Sequence, residues 1–399
     1  MKPGTPNPDR PWLDVAKGLL LFKGIYAGIL LLALQIYPGF EDSTAGYIRE
    51  YWFPKEGAIW LEGQQSGFRR HFTTWDATHF LYLSQFGYTP DLKSAAMYPL
   101  WPTLMSMAAR VTGIDAVWVG LLLANGFSLA AWILFYRTTR DGWGPEVAHL
   151  ALMLLVLFPG TLFQQFNYSE SVFFFLLMWV WRGIRQGRFG IASLAGFFLP
   201  MTRAVGLLAL LPAAWDVIRR WRGAAPENRL RSAMGPMVLG GVILTGWGTY
   251  LLLMKEWTGD AFSGFAAQAH WKAHSIENLL HPERAVSAFF NPTSWHSFRG
   301  SLLDRVGFAL FLLLLPSVWR RGKDLFCWVV ILGLVPALSG LFVSFIRFEG
   351  IVFPLFIVAA CELRGPGRRG RRMIVPILVF LGALHAVLAW RFVSYQWAG

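Results

Sequence analysis

Hydrophobic residues in this chain gather into long uncharged runs rather than into the short alternations of a half-exposed sheet. The first run extends from about Trp12 to Tyr37, behind a polar, proline-rich Met1–Pro11. Further runs lie near 115–136, 145–162, 168–183, 189–201, 204–218, 234–256, 301–319, 324–345, 350–363 and 373–394. Several reach the ~20 residues that an α-helix needs to cross the hydrocarbon core of a bilayer. About eleven spanning helices are therefore predicted. The expected fold class is an all-α polytopic membrane protein, with residues 1–399 forming one domain. The first run is too long for the apolar stretch of a signal peptide and lacks a small-residue cleavage pattern, so it is expected to be retained.

Composition agrees with this pattern: 55% of residues are hydrophobic, 16% aromatic and only 15% charged, against about 25% charged in soluble domains. The formal net charge of +13 would suggest nucleic acid in a soluble protein. Here the basic residues cluster in short loops between apolar runs and no nucleic-acid-binding motif occurs, so that class is excluded. The two cysteines, Cys327 and Cys361, lie inside apolar runs and imply no disulfide framework.

Loop charge sets an expected orientation, because cytoplasmic loops are enriched in Lys and Arg. The basic loops carry Lys2, Arg10 and Lys17; Arg137 and Arg140; Arg182, Arg185 and Arg188; Arg219 to Arg231; Arg320 to Lys323; and Arg364 to Arg372. They alternate with basic-poor loops only if Tyr98–Gly113 lies along the outer interface as an amphipathic helix. The N-terminus is then cytoplasmic and the C-terminus external. The external segments become 38–114, 163–168, 202–203, 257–300 and 346–349. No separate soluble domain remains, so any chemistry is expected at the outer membrane face. Arginine outnumbers lysine, which suggests a bacterial source and hence the plasma (inner) membrane.

Unusual polar residues fall on that face. In the stretch Thr73–Tyr88, Trp75, His79, Tyr82 and Phe86 follow helical spacing, and Asp76 and His79 share one face at i and i+3. Either this helix rests at the headgroup level with its polar residues in water, or it carries a site; both readings are open at this point. Glu170 begins a strongly apolar helix, where an ionisable group calls for a partner. Arg203 and Arg347 interrupt apolar sequence at external boundaries. There an arginine either snorkels to headgroups or grips a phosphate through two oxygens. His270 and His274 have the i, i+4 spacing of a metal pair, but Lys272 lies between them and the glutamate of a zinc-protease helix is missing. No metal and no cofactor is predicted.

Five short motifs follow one another along the chain. They are Trp75-Asp76-x-x-His79 leading to Gly87-Tyr88 and Tyr98-Pro99-Leu100-Trp101-Pro102; Tyr168-Ser169-Glu170-Ser171; Thr202-Arg203-Ala204-Val205-Gly206; Gln268-Ala269-His270-Trp271; and Arg347-Phe348-Glu349 before Pro354-Leu355-Phe356. Together they resemble the PIG-V family of mannosyltransferases and its bacterial homologues, with Ala204 in place of a usual proline. The resemblance implies a GT-C bundle whose first external loop carries the catalytic carboxylate and interfacial helices. It also implies a polyprenyl-phosphate sugar donor, usually mannose, and inverting transfer to a hydroxyl of a glycolipid or glycan acceptor.

The expected roles follow from that chemistry. Asp76 would accept the acceptor's proton. Arg203, Arg347 and His79 would hold the donor phosphate. Trp75, Tyr168, Glu170, His270, Trp271, Lys272 and Glu349 would contact sugar or acceptor. The expected partners are a polyprenyl-phosphate-linked sugar, the acceptor and membrane lipids. The competing class is a transporter or lipid flippase. Its polar residues should lie mid-span in pseudo-repeated halves, whereas these collect at one face.

Overall fold

A computed structural model describes residues 11–271, 274–365 and 368–399. Lys272 falls outside the described residues. The described residues are predominantly helical, with no strand among them, and five helices are long and apolar enough to cross a membrane: Trp12–Ile36, Ala116–Trp143, Pro226–Thr258, Leu302–Arg321 and Gly370–Val393.

Their outer faces are what place the protein in lipid. Only 11% of the most apolar window of Trp12–Ile36 and 17% of that in Gly370–Val393 is buried against the rest of the chain. Leu21, Ile29, Val375, Val379 and Phe380 all point outward. An apolar surface of that extent would drive aggregation in water and is matched by acyl chains. This is an all-α polytopic membrane protein.

Four of the remaining apolar runs are broken, whereas Glu170–Gln186 and Phe353–Leu363 are continuous helices. The run at 145–162 becomes the helix Pro145–Leu157 followed by a 3-10 turn over Pro159–Gln164. The run at 189–201 ends its α-helix at Phe198, one residue before Leu199-Pro200. The run at 204–218 opens as a 3-10 turn and becomes α-helical only at Leu210. The run at 324–345 passes from α-helix through a π-helical turn at Val330–Leu334 into the short helix Val335–Ser339. Proline removes a backbone donor and clashes with the preceding turn, and it lies at or next to most of these breaks. Broken backbone at membrane depth is tolerated only where other protein groups satisfy it.

The helix Glu170–Gln186 is the hub. It packs against Ala116–Trp143 on one side and Phe189–Phe198 on the other, and Trp132, Trp181, Phe173 and Phe174 fill the space between them. The outer helix Trp12–Ile36 meets this core through Leu19, Leu34 and Phe22, the last edge-on to Trp132, and through one polar side chain. Lys23 donates from Nζ to Asn125 Oδ1 and Ser128 Oγ, both at 2.9 Å, and lies 4.2 Å from the centre of the Trp132 ring.

The first large loop folds into its own cap. The helices Asp42–Trp52, Lys55–Gln64, Asp76–Phe86 and Leu100–Thr112 enclose a smaller core of Phe53, Leu61, Tyr82, Leu83, Tyr250 and Met254. The helices at 76–86 and 100–112 match the two expected from sequence. At 11 and 13 residues they are too short to span a bilayer. The helices at 42–52 and 55–64 are additional. The second loop contributes Ser263–Trp271 and Pro282–Phe290.

Gly246 tests this packing. A β-carbon there would meet the Phe197 carbonyl of the neighbouring helix, a backbone atom that cannot turn aside. Gly246→Leu is expected to lower stability by about 1–3 kcal/mol or more, read as a depressed unfolding midpoint of the detergent-solubilised protein.

Candidate functional site

Four segments that lie far apart in sequence deliver charges to one point. Arg347 stands at the centre. Its Nη1 donates to Asp76 Oδ2 at 2.6 Å, and its Nε donates to Glu170 Oε1. Arg203 Nη1 reaches the same Glu170 oxygen at 2.6 Å and Ser169 Oγ at 3.4 Å. Glu170 is buried, with 1% of its side chain exposed, whereas Asp76 keeps 19% open to the outside. The Arg347 guanidinium lies 4.6 Å from the Tyr168 ring centre and 5.1 Å from that of Phe163. Arg203 stacks on Phe348 at 5.2 Å.

Each segment is held by a different local device. Asp76 opens its helix directly after Trp75, whose φ of 52° is unusual for a bulky residue. The strained turn is fixed on both sides. Trp75 Nε1 donates to the Gln396 carbonyl at 3.0 Å, and its ring packs on Tyr395 and Trp397. Thr78 Oγ1 and Gln65 Nε2 both donate to the Thr73 carbonyl. The Asp76 backbone N–H then donates to the Tyr168 hydroxyl at 3.1 Å, tying the first loop to the segment that carries Glu170.

That segment, from Phe158 to Ser169, is irregular and buried. Its side chains and carbonyls find partners throughout the core. Asn125 Nδ2 donates to the Gln165 carbonyl, and Asn167 Nδ2 donates to the Phe72 and Val117 carbonyls. Gln164 Nε2 donates to the Gly350 carbonyl, and Trp132 Nε1 donates to Gln164 Oε1. The backbone passes so close to the Arg347 strand of chain that a β-carbon at Gly160 would strike the Ile346 carbonyl.

Arg347 itself sits in the short helix Phe345–Glu349, which follows Leu341, Phe342 and Ser344 at φ of 49°, 67° and 58°. Asp304, fully buried, accepts the Ile346 N–H at Oδ1 over 2.8 Å and so fixes the residue next to Arg347. Arg203 occupies an extended residue between two 3-10 turns.

Electrostatics separate the two arginines. Burial works against the charge of Arg347, but Glu170 and Asp76 outweigh it and raise the pKa above the ordinary arginine value. Burial also dominates at Arg203, where Arg347 repels in the same direction; Glu170 only partly offsets them and the pKa is lowered. Arg347 thus pairs with two carboxylates, whereas Arg203 pairs only with Glu170, which it shares.

The other sequence-predicted residues are placed as follows. His79 does not touch this charge cluster. Its Nδ1 lies 2.7 Å from Ser94 Oγ, and Trp52, Phe53 and Trp271 surround its ring. Trp271 packs into that aromatic group, and His270 is exposed. Glu349 turns away from Arg347 into the protein, where its Oε2 is buried against Gly307. His274, which the sequence marked only as a poor metal ligand, packs edge-on against Phe348 at 5.0 Å and so joins the site. Among the described residues no three His, Cys, Asp or Glu side chains approach closely enough to hold a metal ion. Sequence spacing gave no signal for Gln164, Asn167 or Asp304, because their partners are backbone groups brought close only by the fold.

The sequence matches no protein-family profile, and no curated protein is similar to it. Among solved structures, the chain is similar to ArnT from Cupriavidus metallidurans, bound to undecaprenyl phosphate. The identity is 15% and the TM-score 0.44, over 79% of this chain and 68% of that one. It is also similar to the archaeal oligosaccharyltransferase AglB from Archaeoglobus fulgidus, in complex with an inhibitory peptide and a dolichol-phosphate. There the identity is 14% and the TM-score 0.41, over 76% of this chain and 48% of that one. The chain therefore spans about half the length of AglB. Likeness at this level extends neither to residues nor to chemistry.

Two outcomes are expected. Glu170→Ala leaves two buried guanidinium groups short of a partner, at a cost of about 3–5 kcal/mol, measurable by denaturant unfolding in detergent. The second concerns acid. Burial foremost, joined at His274 by the two arginines, lowers the pKa of His79 and His274 from 6.5 to about 4. The unfolded chain then binds protons that the folded chain refuses, so stability falls as pH drops from about 6.5 toward 4. Replacing both histidines by Gln should flatten that slope.

Proposed function

We propose that this chain is a membrane-embedded glycosyltransferase of GT-C type. It transfers a hexose, mannose by the motif resemblance, from a polyprenyl phosphate to an acceptor hydroxyl. The observation that carries this reading is the Asp76–Arg347–Glu170–Arg203 constellation: a partly exposed carboxylate beside a buried cation whose only carboxylate partner is shared.

The chemistry needs both. A sugar hydroxyl is a weak nucleophile, so a carboxylate in hydrogen-bond reach must accept its proton as the bond to the anomeric carbon forms. Asp76 Oδ2 is engaged by Arg347, while Oδ1 has no protein partner among the described residues and Asp76 is the more open of the two acids. Opposite attack, the anomeric C–O bond to phosphate breaks and the polyprenyl phosphate leaves with both bonding electrons. Its growing charge is drawn to Arg203, whose only carboxylate partner is shared with Arg347, and the adjoining Arg347 reinforces that field. One displacement of this kind inverts the anomeric centre. Glu170 holds the two arginines at fixed spacing, so the anion site costs no reorganisation when the charge develops.

The loop-charge pattern supports a cytoplasmic N-terminus and a site opening on the external face, in the plasma membrane of a bacterium. A glycolipid or surface glycan is the matching acceptor, since both substrates then reach the site along the bilayer.

The test is transfer from polyprenyl-phosphate-mannose to candidate acceptors by purified protein. Asp76→Asn keeps the shape and a hydrogen bond from Arg347 but removes the base. It should cut turnover about 10²–10⁴-fold with an unchanged unfolding midpoint. Full activity in Asp76→Asn, or movement of lipid across vesicles without any transfer, would overturn the proposal.

A further inference from the structure

The cap carries a cavity that the proposed reaction leaves unused, walled in part by the segment that follows the Asp76 helix. It has a volume of about 230 Å³ and lies between Tyr51–Pro54 and Thr89–Lys93. Its walls combine aromatic rings with both signs of charge. Tyr51 is exposed and stacks on Tyr47 at 5.4 Å, and Trp52 is packed edge-on to Tyr51. Lys93 Nζ lies 3.8 Å from the Tyr51 ring centre and donates to the Tyr51 carbonyl at 2.5 Å, so its charge is already engaged. Asp91 is different. It sits at φ 57° in an exposed turn, and its carboxylate has no hydrogen-bond or ion-pair partner among the described residues.

We propose that this cavity is a subsite for one pyranose ring of a sugar-bearing acceptor, a refinement that rests on the glycosyltransferase reading above. A pyranose has one apolar face of C–H groups that covers an aromatic ring, and an edge of hydroxyls that a carboxylate accepts in pairs. Tyr51 and Trp52 supply the first surface and Asp91 the second, with Thr89 beside it. The free carboxylate argues against an anionic lipid headgroup, which it would repel, and the lone available cation is occupied.

Packed rings link the wall of the cavity to the helix that carries Asp76. Trp52 meets Trp271 at 4.4 Å, Trp271 meets His79 at 4.7 Å, and His79 follows Asp76 by one helical turn. A glycan seated in the cavity would thus extend along a line of rings toward the open carboxylate. This gives the aromatic setting of His79 a use that phosphate binding does not.

The experiment is saturation-transfer NMR on the full chain in nanodiscs, without donor, using methyl glycosides of mannose, glucose and galactose as probes. At least one glycoside should bind, and Asp91→Asn should weaken it about tenfold, the loss of a charge-assisted hydrogen bond. Asp91 is exposed, so this variant removes no packing. Trp52→Phe, which keeps an apolar filling, should reduce the transfer to the ring protons. Because no donor is present, binding is read independently of transfer, and failure of the transferase reading would show only in the donor-containing transfer assay, with glycoside binding intact. The subsite is overturned if no glycoside binds, or if binding is unchanged in Asp91→Asn. It is equally overturned if these variants alter only the protein's association with lipid, which would make the rings an interfacial anchor.

Discussion

Everything at the outer face depends on one guanidinium shared between two acids. Arg347 joins the first loop, through Asp76, to the hub helix, through Glu170. A buried arginine is tolerable only with such compensation, and a buried Glu170 is tolerable only with its two arginines. Arg203, Glu170 and Arg347 are therefore mutually obligatory: none of these three can be exchanged for a neutral residue without leaving a charge stranded in a low-dielectric interior, whereas Asp76 stands at the open edge of the cluster. That interdependence is why four remote segments converge, and it fixes the spacing on which any chemistry here must run.

The supports of this cluster are mostly backbone contacts. Asp304 holds Ile346 by its N–H, Gln164 holds Gly350 by its carbonyl, and Gly160 lets two main chains cross at close range. Together they over-determine a stretch containing three non-glycine residues in the left-handed region. The strain is concentrated where geometry has to be exact and is absent from the long lipid-facing helices, whose packing needs are looser.

Sequence pattern reveals the parts of this architecture that depend on solvent preference. Lipid-facing runs such as Trp12–Ile36 and Gly370–Val393 are legible because most residues on them answer to the same apolar environment. Asp76, Glu170, Arg203 and Arg347 are legible because each is costly in its setting. The broken helices are only half legible. Pro159 and Pro200 mark where a helix must stop, but not that the chain re-forms as a 3-10 turn. His79 and Glu349 show the limit: both sit in the right motif, yet the side-chain direction is set by Trp52, Trp271 and Gly307, which belong to other segments.

Lys23 gives the outermost helix a mechanical character. That helix faces acyl chains along most of its surface and meets the bundle along a narrow seam, where Leu19, Leu34 and Phe22 pack and one ammonium finds its neutral acceptors. A rod held along so narrow a seam, with one polar pivot, can change its tilt when bilayer thickness changes, and each ångström of mismatch costs only a fraction of a kcal/mol. The cross-braced interior has no such freedom. Thickness differences between membranes would thus be absorbed at the periphery, leaving the charge cluster undisturbed.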